Sequence, residues 1–259
     1  MTAAGGELAK TRAAILAAGR GVRMGGRQPK TLVPVDDKEP LLHYIIAGLR
    51  SAGIGDLLVV TGHGRAEVEE FVLKSWGEDN VTFVFNARYA SWGNFHSLRV
   101  ALDQSPGFDV LAVNSDVVVH PDVFRRTASE PGDLVLAVER RRQLDLEDMR
   151  VELKGSAVGA IGKNIAMARS HGEFDGVSLL RPNAARLYLS YATDAQWRRT
   201  TSLYYEDIYQ MMLGDIDARA SFVQQGEYAE VDEPADLAAA ERVIASHAAA
   251  WQQREPQET

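Results

Sequence analysis

Residues 16–30 read Leu16-Ala17-Ala18-Gly19-Arg20-Gly21-Val22-Arg23-Met24-Gly25-Gly26-Arg27-Gln28-Pro29-Lys30, and they directly follow a short apolar run. An apolar run that ends in glycine is typical of a buried strand. Glycines let the backbone approach a ligand closely and turn its N–H groups toward phosphate. Arg23 and Lys30 add cationic donors. The stretch therefore predicts a loop that wraps a polyphosphate at the end of the first strand.

Two better-known phosphate loops do not fit this stretch. Pro29 stands directly before Lys30, where a P-loop has glycine. Met24 stands where the dinucleotide-binding pattern has its third glycine, and no acidic residue ends a second strand about twenty residues further on. The alternative is a flexible surface loop rich in glycine and arginine.

Apolar runs and helical periodicities alternate over the first half of the chain. The runs predict strands over 13–16, 57–60, 81–85, 110–113 and 134–138. Apolar residues at helical spacing predict helices over 41–52, 67–76 and 94–102. Strands that alternate with helices form βαβ units. We therefore expect an α/β, Rossmann-like fold whose mixed, mainly parallel sheet is flanked by helices.

The pattern changes after Glu139, where residues 140–180 carry several short candidate strands. The segments that follow predict helices over 183–191, 203–212 and 234–250, and a short strand that ends near Val231. No linker or repeat divides the chain, so we expect one domain over 1–259. Its expected parts are a nucleotide-binding half (12–139), an α+β acceptor-binding insertion that completes the sheet (140–232) and a C-terminal helix (233–251).

Composition excludes several classes of protein. The 259 residues carry a net charge of −8, which is no footprint for a nucleic-acid partner. The chain has no cysteine, so disulfides, thiolate metal sites and a cysteine nucleophile are excluded. No apolar run approaches the roughly eighteen residues that a membrane span needs. We expect a cytoplasmic protein with no membrane partner.

The stretch 16–30 resembles the signature loop of the sugar-phosphate and alcohol-phosphate nucleotidyltransferases. The resemblance implies the GT-A type of Rossmann-like fold, a loop that wraps a nucleotide triphosphate, and Arg23 and Lys30 as the catalytic cations. The residues that it implies for nucleotide binding are Leu16, Ala17, Ala18, Gly19, Gly21, Arg23, Lys30, Gly62, Asn94 and Ser97.

Three further segments resemble one branch of these enzymes. The first is Phe85-Asn86-Ala87-Arg88-Tyr89-Ala90-Ser91-Trp92-Gly93-Asn94-Phe95-His96-Ser97-Leu98, which is similar to a segment of bacterial phosphocholine cytidylyltransferases. Gly93 replaces the first of two paired asparagines there. The second, Asn114-Ser115-Asp116-Val117-Val118-Val119-His120-Pro121, is similar to the strand-end acid of the phosphonate and inositol-phosphate branch. The third is a pair of C-terminal acidic motifs, 204–207 and 230–237.

Two acids stand where a metal ion is expected. Asp116 follows the fourth predicted strand, and Asp232 follows the short strand near the C-terminus. Ligands of an open α/β sheet bind at strand ends, and two carboxylates can hold one Mg²⁺ there. Asp116 and Asp232 are therefore the predicted Mg²⁺ ligands. The alternatives are a turn residue for Asp116 and a cap of the terminal helix for Asp232.

Second-choice residues for the acceptor lie in the insertion. Lys163 resembles a second lysine that many of these enzymes use near the acceptor phosphate, and Glu206 and Asp207 belong to a C-terminal acidic motif. The alternatives are a solvated turn lysine and acids that complement a helix dipole. The three arginines at 140–142 either form a solvated face or attract an acceptor with several negative charges. Four aromatic residues could cage a quaternary ammonium or could pack in the core: Trp92, Trp197, Tyr204 and Tyr205.

The function that this reading favours is an Mg²⁺-dependent cytidylyltransferase. It would transfer CMP from CTP to a small anionic acceptor, a phosphonate or a phospho-alcohol, and would release pyrophosphate. The attacking group is already ionised at neutral pH, so no general base is needed, and catalysis would rest on positioning and charge stabilisation. The alternatives are a sugar-phosphate nucleotidyltransferase that uses UTP or GTP, and an inactive nucleotide-sensing protein on the same fold. A homodimer is a further expectation.

Overall fold

The computed structural model describes residues 10–25, 28–35, 39–141 and 144–251. Within them the strands are β1 (Thr11–Ala17), β2 (Asp56–Thr61), β3 (Val81–Phe85), β4 (Asp109–Asn114), β5 (Val117–Val119), β6 (Leu134–Glu139), β7 (Arg150–Lys154), β8 (Ala157–Ile161), β9 (Gly172–Leu180), β10 (Ala218–Val223) and β11 (Tyr228–Glu230). The helices are α1 (Leu41–Ser51), α2 (Arg65–Trp76), α3 (Phe95–Asp103), α4 (Pro121–Ser129), α5 (Pro182–Trp197), α6 (Tyr205–Met212) and α7 (Leu237–Ser246).

Nine of these strands form one mixed sheet in the order β3-β2-β1-β4-β9-β6-β10-β8-β7. Strands β3, β2, β1 and β4 run parallel, as do β6 and β10, whereas β9 lies antiparallel between β4 and β6. Apolar residues on the two faces of the sheet belong to separate core clusters under the helices. The predicted Rossmann-like α/β fold with a mixed, mainly parallel sheet is confirmed.

A second sheet of two short strands determines where the site forms. Strand β5 follows β4 almost at once and pairs antiparallel with β11, with Val117 opposite Glu230. The backbone N–H of Val231 donates to the carbonyl oxygen of Asp116 at 2.8 Å. This ribbon brings the end of β4 beside a segment more than a hundred residues later in the chain.

The five predicted strands of the first half and its three predicted helices are present, with ends shifted by a few residues. The helix over 121–129 and the strands β9 and β10 were not predicted from the sequence. The predicted terminal helix over 234–250 is wrong as a single element. It consists of a 3₁₀ turn (Pro234–Asp236), α7 and a second 3₁₀ turn (Ala248–Trp251), because α7 ends at Ser246 and the backbone of His247 leaves the helical region. Among the described residues, no helix combines the length and apolar character that crossing a bilayer requires.

Candidate active site

Two adjoining cavities open at the carboxyl ends of β1 and β4. The first, which we call the loop cavity, has a volume of about 310 Å³ and lies against residues 16–23. The second, the insertion cavity, has a volume of about 440 Å³ and lies against residues 147–149, β9, α6 and β11. The residues that line both are Arg23, Asn94, Asn114, Asp116 and Asp232.

The glycine loop folds back on Lys30. Gly21 has a φ of 56°, in the left-handed region, and a Cβ there would lie 2.6 Å from the Cβ of Lys30. Glycine is therefore required at residue 21 both for the backbone conformation and for the close approach of Lys30. Arg23 and Lys30 both line the loop cavity, together with Leu16, Ala17, Ala18, Gly19 and Gly21.

Three carboxylates gather at the ribbon of β5 and β11. Single oxygen atoms of Asp116, Glu230 and Asp232 lie within 4.8 Å of one another. Glu230 ends β11 and Asp232 follows two residues later; since side chains alternate along extended chain, both point to the same side. Glu230 was not among the predicted ligands, although this spacing of two was visible in the sequence.

Lys30 and Arg23 neutralise part of this cluster. The Nζ of Lys30 donates to Asp116 Oδ2 at 3.0 Å and to Asp232 Oδ1 at 2.5 Å, and Arg23 Nη1 lies 2.9 Å from Asp232 Oδ2. Only 12% of the Lys30 side chain is exposed, against 72% for Arg23. Burial lowers the pKa of Lys30, but the two carboxylates outweigh it, and the net pKa is raised. Lys30 is therefore a permanently charged lysine held by the acids.

The acids are suited to a divalent cation. All three offer carboxylate oxygens, the ligand type that Mg²⁺ prefers, and Asp116 Oδ1 is buried with no hydrogen-bond partner among the described residues. The pKa of Glu230 is raised to about 8 by desolvation and by the charges of Asp116 and Asp232. Because much of the Glu230 surface remains open to solvent, the two like charges are the better supported of these causes. A bound cation would remove this repulsion.

The hydrogen-bond partners of Asp116 and Asp232 bear on the alternatives left open for these two residues. The capping box of the terminal 3₁₀ turn uses Glu233 and Asp236, and the backbone N–H of Asp232 itself donates to Asp236 Oδ2. The carboxylate of Asp232 is left to contact Lys30 and Arg23. Asp116 does lie in the turn between β4 and β5, yet its side chain accepts from Lys30.

The far wall of the loop cavity comes from the segment 86–97. Asn86 Nδ2 donates to Ser97 Oγ at 2.9 Å, and both side chains line the cavity with Tyr89 and Trp92. Asn94 lines it too. Gly62 is not among the lining residues; a Cβ there would lie 2.6 Å from the Ala18 carbonyl oxygen and 2.7 Å from Tyr89 Cβ. Gly62 therefore lets the glycine loop pack closely from behind.

The replacement of asparagine by Gly93 has a steric reason. The backbone N–H of Gly93 donates to the Thr201 carbonyl oxygen at 2.7 Å, and a Cβ at residue 93 would lie 1.9 Å from the Leu203 carbonyl oxygen. The segment between α5 and α6 crosses directly over this residue. No side chain fits at residue 93 while that segment keeps its place.

The insertion cavity is acidic and partly aromatic. Outside the three-carboxylate cluster its acidic lining residues are Glu147, Asp148, Glu173 and Glu206, and its aromatic ones are Phe174, Tyr204 and Tyr228. Glu206 is 5% exposed, and its Oε2 has no hydrogen-bond partner among the described residues. Burial raises the pKa of Glu206 to about 7, against the hydrogen bonds that it accepts.

Of the three second-choice residues for the acceptor, two line the insertion cavity and one does not. Glu206 and Lys163 both line the insertion cavity, although Lys163 is paired with Glu147 at 3.1 Å. Asp207 does not line it. Its Oδ2 accepts from the backbone N–H of Tyr204 at 2.8 Å, so Asp207 caps α6. It also lies in the first turn of α6, where its alternative placed an acid that complements the helix dipole.

Arg140, Arg141 and most of the four candidate aromatic residues do not line the insertion cavity. Arg140 stacks on Phe222, Arg141 is paired with Glu139 and Glu173, and Arg142 lies outside the described residues. Trp197 is 81% exposed at the end of α5. The four candidate aromatics therefore form no common cage; Tyr204 lines the insertion cavity, Trp92 lines the loop cavity and Tyr205 is buried.

Comparison with known proteins identifies the family of this chain. The model of the MobA-like NTP transferase domain matches residues 13–255. The chain belongs to this family. Its relatives include a CMP-5'-(3-aminopropyl)phosphonate synthase from Streptomyces rubellomurinus, 32% identical over 69% of this chain, and a choline-phosphate cytidylyltransferase from Streptococcus pneumoniae, 33% identical over 44% of it. The resemblance to nucleotidyltransferases of the cytidylyltransferase type is confirmed.

The matched stretches cover 28% and 48% of these two relatives' own lengths. Solved structures with the same fold match this chain over a larger share of both chains. The CTP:phosphocholine cytidylyltransferase of Streptococcus pneumoniae matches 91% of this chain and 99% of its own, with a TM-score of 0.77 at 23% identity. The inositol-1-phosphate CTP transferase of T. maritima has a TM-score of 0.75 at 18% identity, over 91% of this chain and 96% of its own.

Proposed function

We propose that this nucleotidyltransferase is an Mg²⁺-dependent cytidylyltransferase that transfers CMP from CTP to a small phosphonate or phospho-alcohol bearing an amine. The observation that carries the proposal is the meeting of two cavities at one charged centre. The loop cations Arg23 and Lys30 face Asp116, Glu230 and Asp232 at the junction. A triphosphate in the loop cavity would present its α-phosphate to an acceptor in the insertion cavity.

The transfer joins two phosphorus centres. An anionic oxygen of the acceptor attacks the α-phosphorus of CTP, the new P–O bond forms, and the bond to the bridging oxygen breaks so that pyrophosphate leaves with the electron pair. Arg23 and Lys30 stabilise the charge that gathers on the phosphoryl oxygens. Asp116, Glu230 and Asp232 would hold Mg²⁺, and the bound ion would supply charge screening of the triphosphate. The acceptor oxygen needs no proton removed, so the chain supplies no general base.

The acceptor is inferred from the charge of the insertion cavity. Arginines 140 and 141 do not line it, which argues against an acceptor with several negative charges. Its buried carboxylate Glu206 and its aromatic faces suit a cationic amine instead. The names of the phosphonate synthase and the choline-phosphate enzyme describe acceptors with an anionic head and a cationic tail. We therefore assign a zwitterionic acceptor to this chain.

The choice of CTP as the nucleotide is supported by the relatives and by the resemblance of segment 85–98. The loop cavity offers Asn86, Asn94 and Ser97 as polar groups beside the rings of Tyr89 and Trp92. UTP or GTP with a sugar phosphate is the competing enzyme reading. An inactive nucleotide sensor is the competing reading from another class. The cytoplasmic location and the homodimer stay predictions.

A pyrophosphate-release assay tests the proposal. The purified chain is given Mg²⁺ and CTP with either aminoethylphosphonate or ethylphosphonate, which differ only in the amine. We expect turnover with the amine-bearing acceptor and a kcat/KM about ten-fold or more lower for ethylphosphonate, the usual scale for a lost charged hydrogen bond. Glu206→Gln should shrink that ratio, whereas Glu241→Gln on the exposed side of α7 should not.

Three outcomes contradict different parts of the proposal. Equal turnover of the two phosphonates would contradict an acceptor that bears an amine, but it would not contradict the cytidylyltransferase activity. Turnover with UTP or GTP in preference to CTP would move the chain to the sugar-phosphate reading. No pyrophosphate from any nucleotide with any amine-bearing phosphonate or phosphate would overturn the proposed reaction.

A further inference from the structure

Two side-chain amides stand where the loop cavity and the insertion cavity meet. Asn94 precedes α3 and Asn114 ends β4, two residues before Asp116. Both line both cavities. Asn94 was predicted to bind the nucleotide, and Asn114 had no assigned role.

Tyr205 holds the oxygen end of each amide. Its backbone N–H donates to Asn94 Oδ1 at 2.9 Å, and its hydroxyl donates to Asn114 Oδ1 at 2.9 Å. A backbone N–H can only donate, so it determines which end of the Asn94 amide faces Tyr205. Tyr205 is itself buried and packs edge-on against Phe174 and Tyr209. One fixed residue therefore orients two amides.

The nitrogen end of each amide is left to the cavities. Within the ranges that the structure describes, neither Nδ2 donates to a protein group. Gly176 keeps the space beside Asn114 open, since a Cβ there would lie 2.7 Å from Asn114 Nδ2. Gly176 also has a φ of 73°, so this glycine is required for its backbone conformation as well.

These donors match the need of an anion that enters an acidic cavity. The glycine loop, Arg23 and Lys30 already face the triphosphate. The cations that line the insertion cavity, among the described residues, are Arg23 and Lys163, and Lys163 is paired with Glu147. Arg23 is likewise paired with Asp232, so an anionic head that enters this cavity meets no unpaired cation among the described residues. Side-chain amides supply uncharged donors at the point where the head must meet the α-phosphate.

We infer that Asn94 and Asn114 donate hydrogen bonds to the phosphate or phosphonate head of the acceptor, and that Tyr205 is their positioning residue. The inference rests on the proposed function, because it takes the insertion cavity as the acceptor site. In this inference, the two neutral amides bind the anionic head of the acceptor. Glu206 has a separate role, which is to bind its amine.

Binding without turnover tests this inference. Titration calorimetry measures the affinity of aminoethylphosphonate for the full chain with Mg²⁺ and CMP present. Asn94→Asp and Asn114→Asp replace each donor by a negative charge of the same shape, and each should weaken binding about ten-fold or more. Asn183→Asp, on the exposed start of α5, is the matched control and should stay within about two-fold of wild type.

Tyr205→Phe distinguishes positioning from general packing. Phenylalanine keeps the buried ring and the N–H to Asn94 but loses the hydroxyl that orients Asn114. We expect weaker phosphonate binding, unchanged CTP affinity, and no further loss when it is combined with Asn114→Asp, since both changes remove one interaction. Wild-type affinity in both aspartate variants, fully additive losses, or no phosphonate binding by the wild type would overturn the inference. Because binding is read without turnover, failure of the reaction itself is a separate result.

Discussion

Replacement of Lys30 by methionine is the sharpest perturbation of the site, because it keeps most of the length of the side chain and removes its charge. Lys30 contacts both Asp116 and Asp232 and is 12% exposed. Loss of one partner from a buried ion pair costs about 3–5 kcal/mol of folding free energy. Asp116 and Asp232 are each about a quarter open to solvent, which screens their charges, so we take the lower end, about 3 kcal/mol.

This loss should depend on the divalent cation. At roughly 2–4 °C per kcal/mol for a chain of this size, Lys30→Met should lower the Tm by about 6–12 °C in EDTA. Mg²⁺ at about 100 times its Kd adds about 2.7 kcal/mol, and in the variant it no longer competes with an ammonium group. The gap to wild type should therefore narrow by about half or more in Mg²⁺.

Thermal unfolding with and without Mg²⁺, together with pyrophosphate release, measures both effects. Release should fall by about 100-fold or more, the usual scale for losing a charge-stabilising group. Lys154→Met, on β7 outside both cavities, is the control and should change neither. The same Tm gap in EDTA and in Mg²⁺, or undiminished release, would refute this account of Lys30.

Three further changes have expected outcomes. Gly93→Asn should lower the free energy of unfolding by about 1–3 kcal/mol or more and weaken nucleotide binding, because a Cβ at residue 93 meets the Leu203 carbonyl oxygen. Chemical denaturation and a nucleotide-binding titration measure these two effects. Gly214→Asn is the control and should change neither, because the space around Gly214 is open. Glu230→Gln should raise the Mg²⁺ concentration that gives half-maximal activity, and an unchanged Mg²⁺ titration would exclude Glu230 as a ligand. Burial raises the pKa of Asp175 well above its ordinary value, so its neutral form stabilises the fold fully below about pH 4 and less as pH rises toward that raised pKa. Asp175→Asn should therefore gain Tm relative to wild type between pH 5 and pH 8, and a constant difference would contradict this.

The first half of the fold could be predicted because its signals are local. Short apolar runs of β1, β2 and β4 are buried on both faces of the sheet, and the glycines and helical spacings between them are read without knowing the partners. Strand β9 could not be found this way. It lies at the centre of the sheet, yet it contains Glu173, Asp175 and Gly176, which are residues that strand propensity disfavours.

Helix α4, in contrast to β9, could have been predicted, because the sequence contains a local signal for its start. His120 accepts from the backbone N–H of Asp122, and Pro121 opens the helix, where its missing N–H costs nothing. The terminal helix was predicted too long because three alanines, which favour a helix, stand at 248–250. The chain instead turns after Ser246, and the indole N–H of Trp251 donates to the Tyr44 carbonyl oxygen.

The candidate site divides in the same way. Arg23, Lys30, Asp116 and Asp232 could be named from motifs, and they do converge. The spacing of Glu230 and Asp232 was visible in the sequence, but the position of Glu230 beside Asp116 depends on the β5–β11 ribbon. The orientation of Asn114 depends on Tyr205, which is also a tertiary feature. The acidity of the insertion cavity was hidden for the same reason, since three consecutive arginines suggest a basic surface until Arg141 is seen to pair with Glu139 and Glu173.

The most direct test of the central claim is the ³¹P NMR spectrum of the chain incubated with Mg²⁺, CTP and aminoethylphosphonate. The account predicts that CTP signals decline while pyrophosphate appears together with two coupled resonances, one from the CMP phosphorus and one from the phosphonate, joined through one oxygen. Lys30→Met should give neither. A spectrum in which CTP yields only CMP or CDP and inorganic phosphate, with the phosphonate signal unchanged, would contradict the assignment of this chain as a cytidylyltransferase for such acceptors.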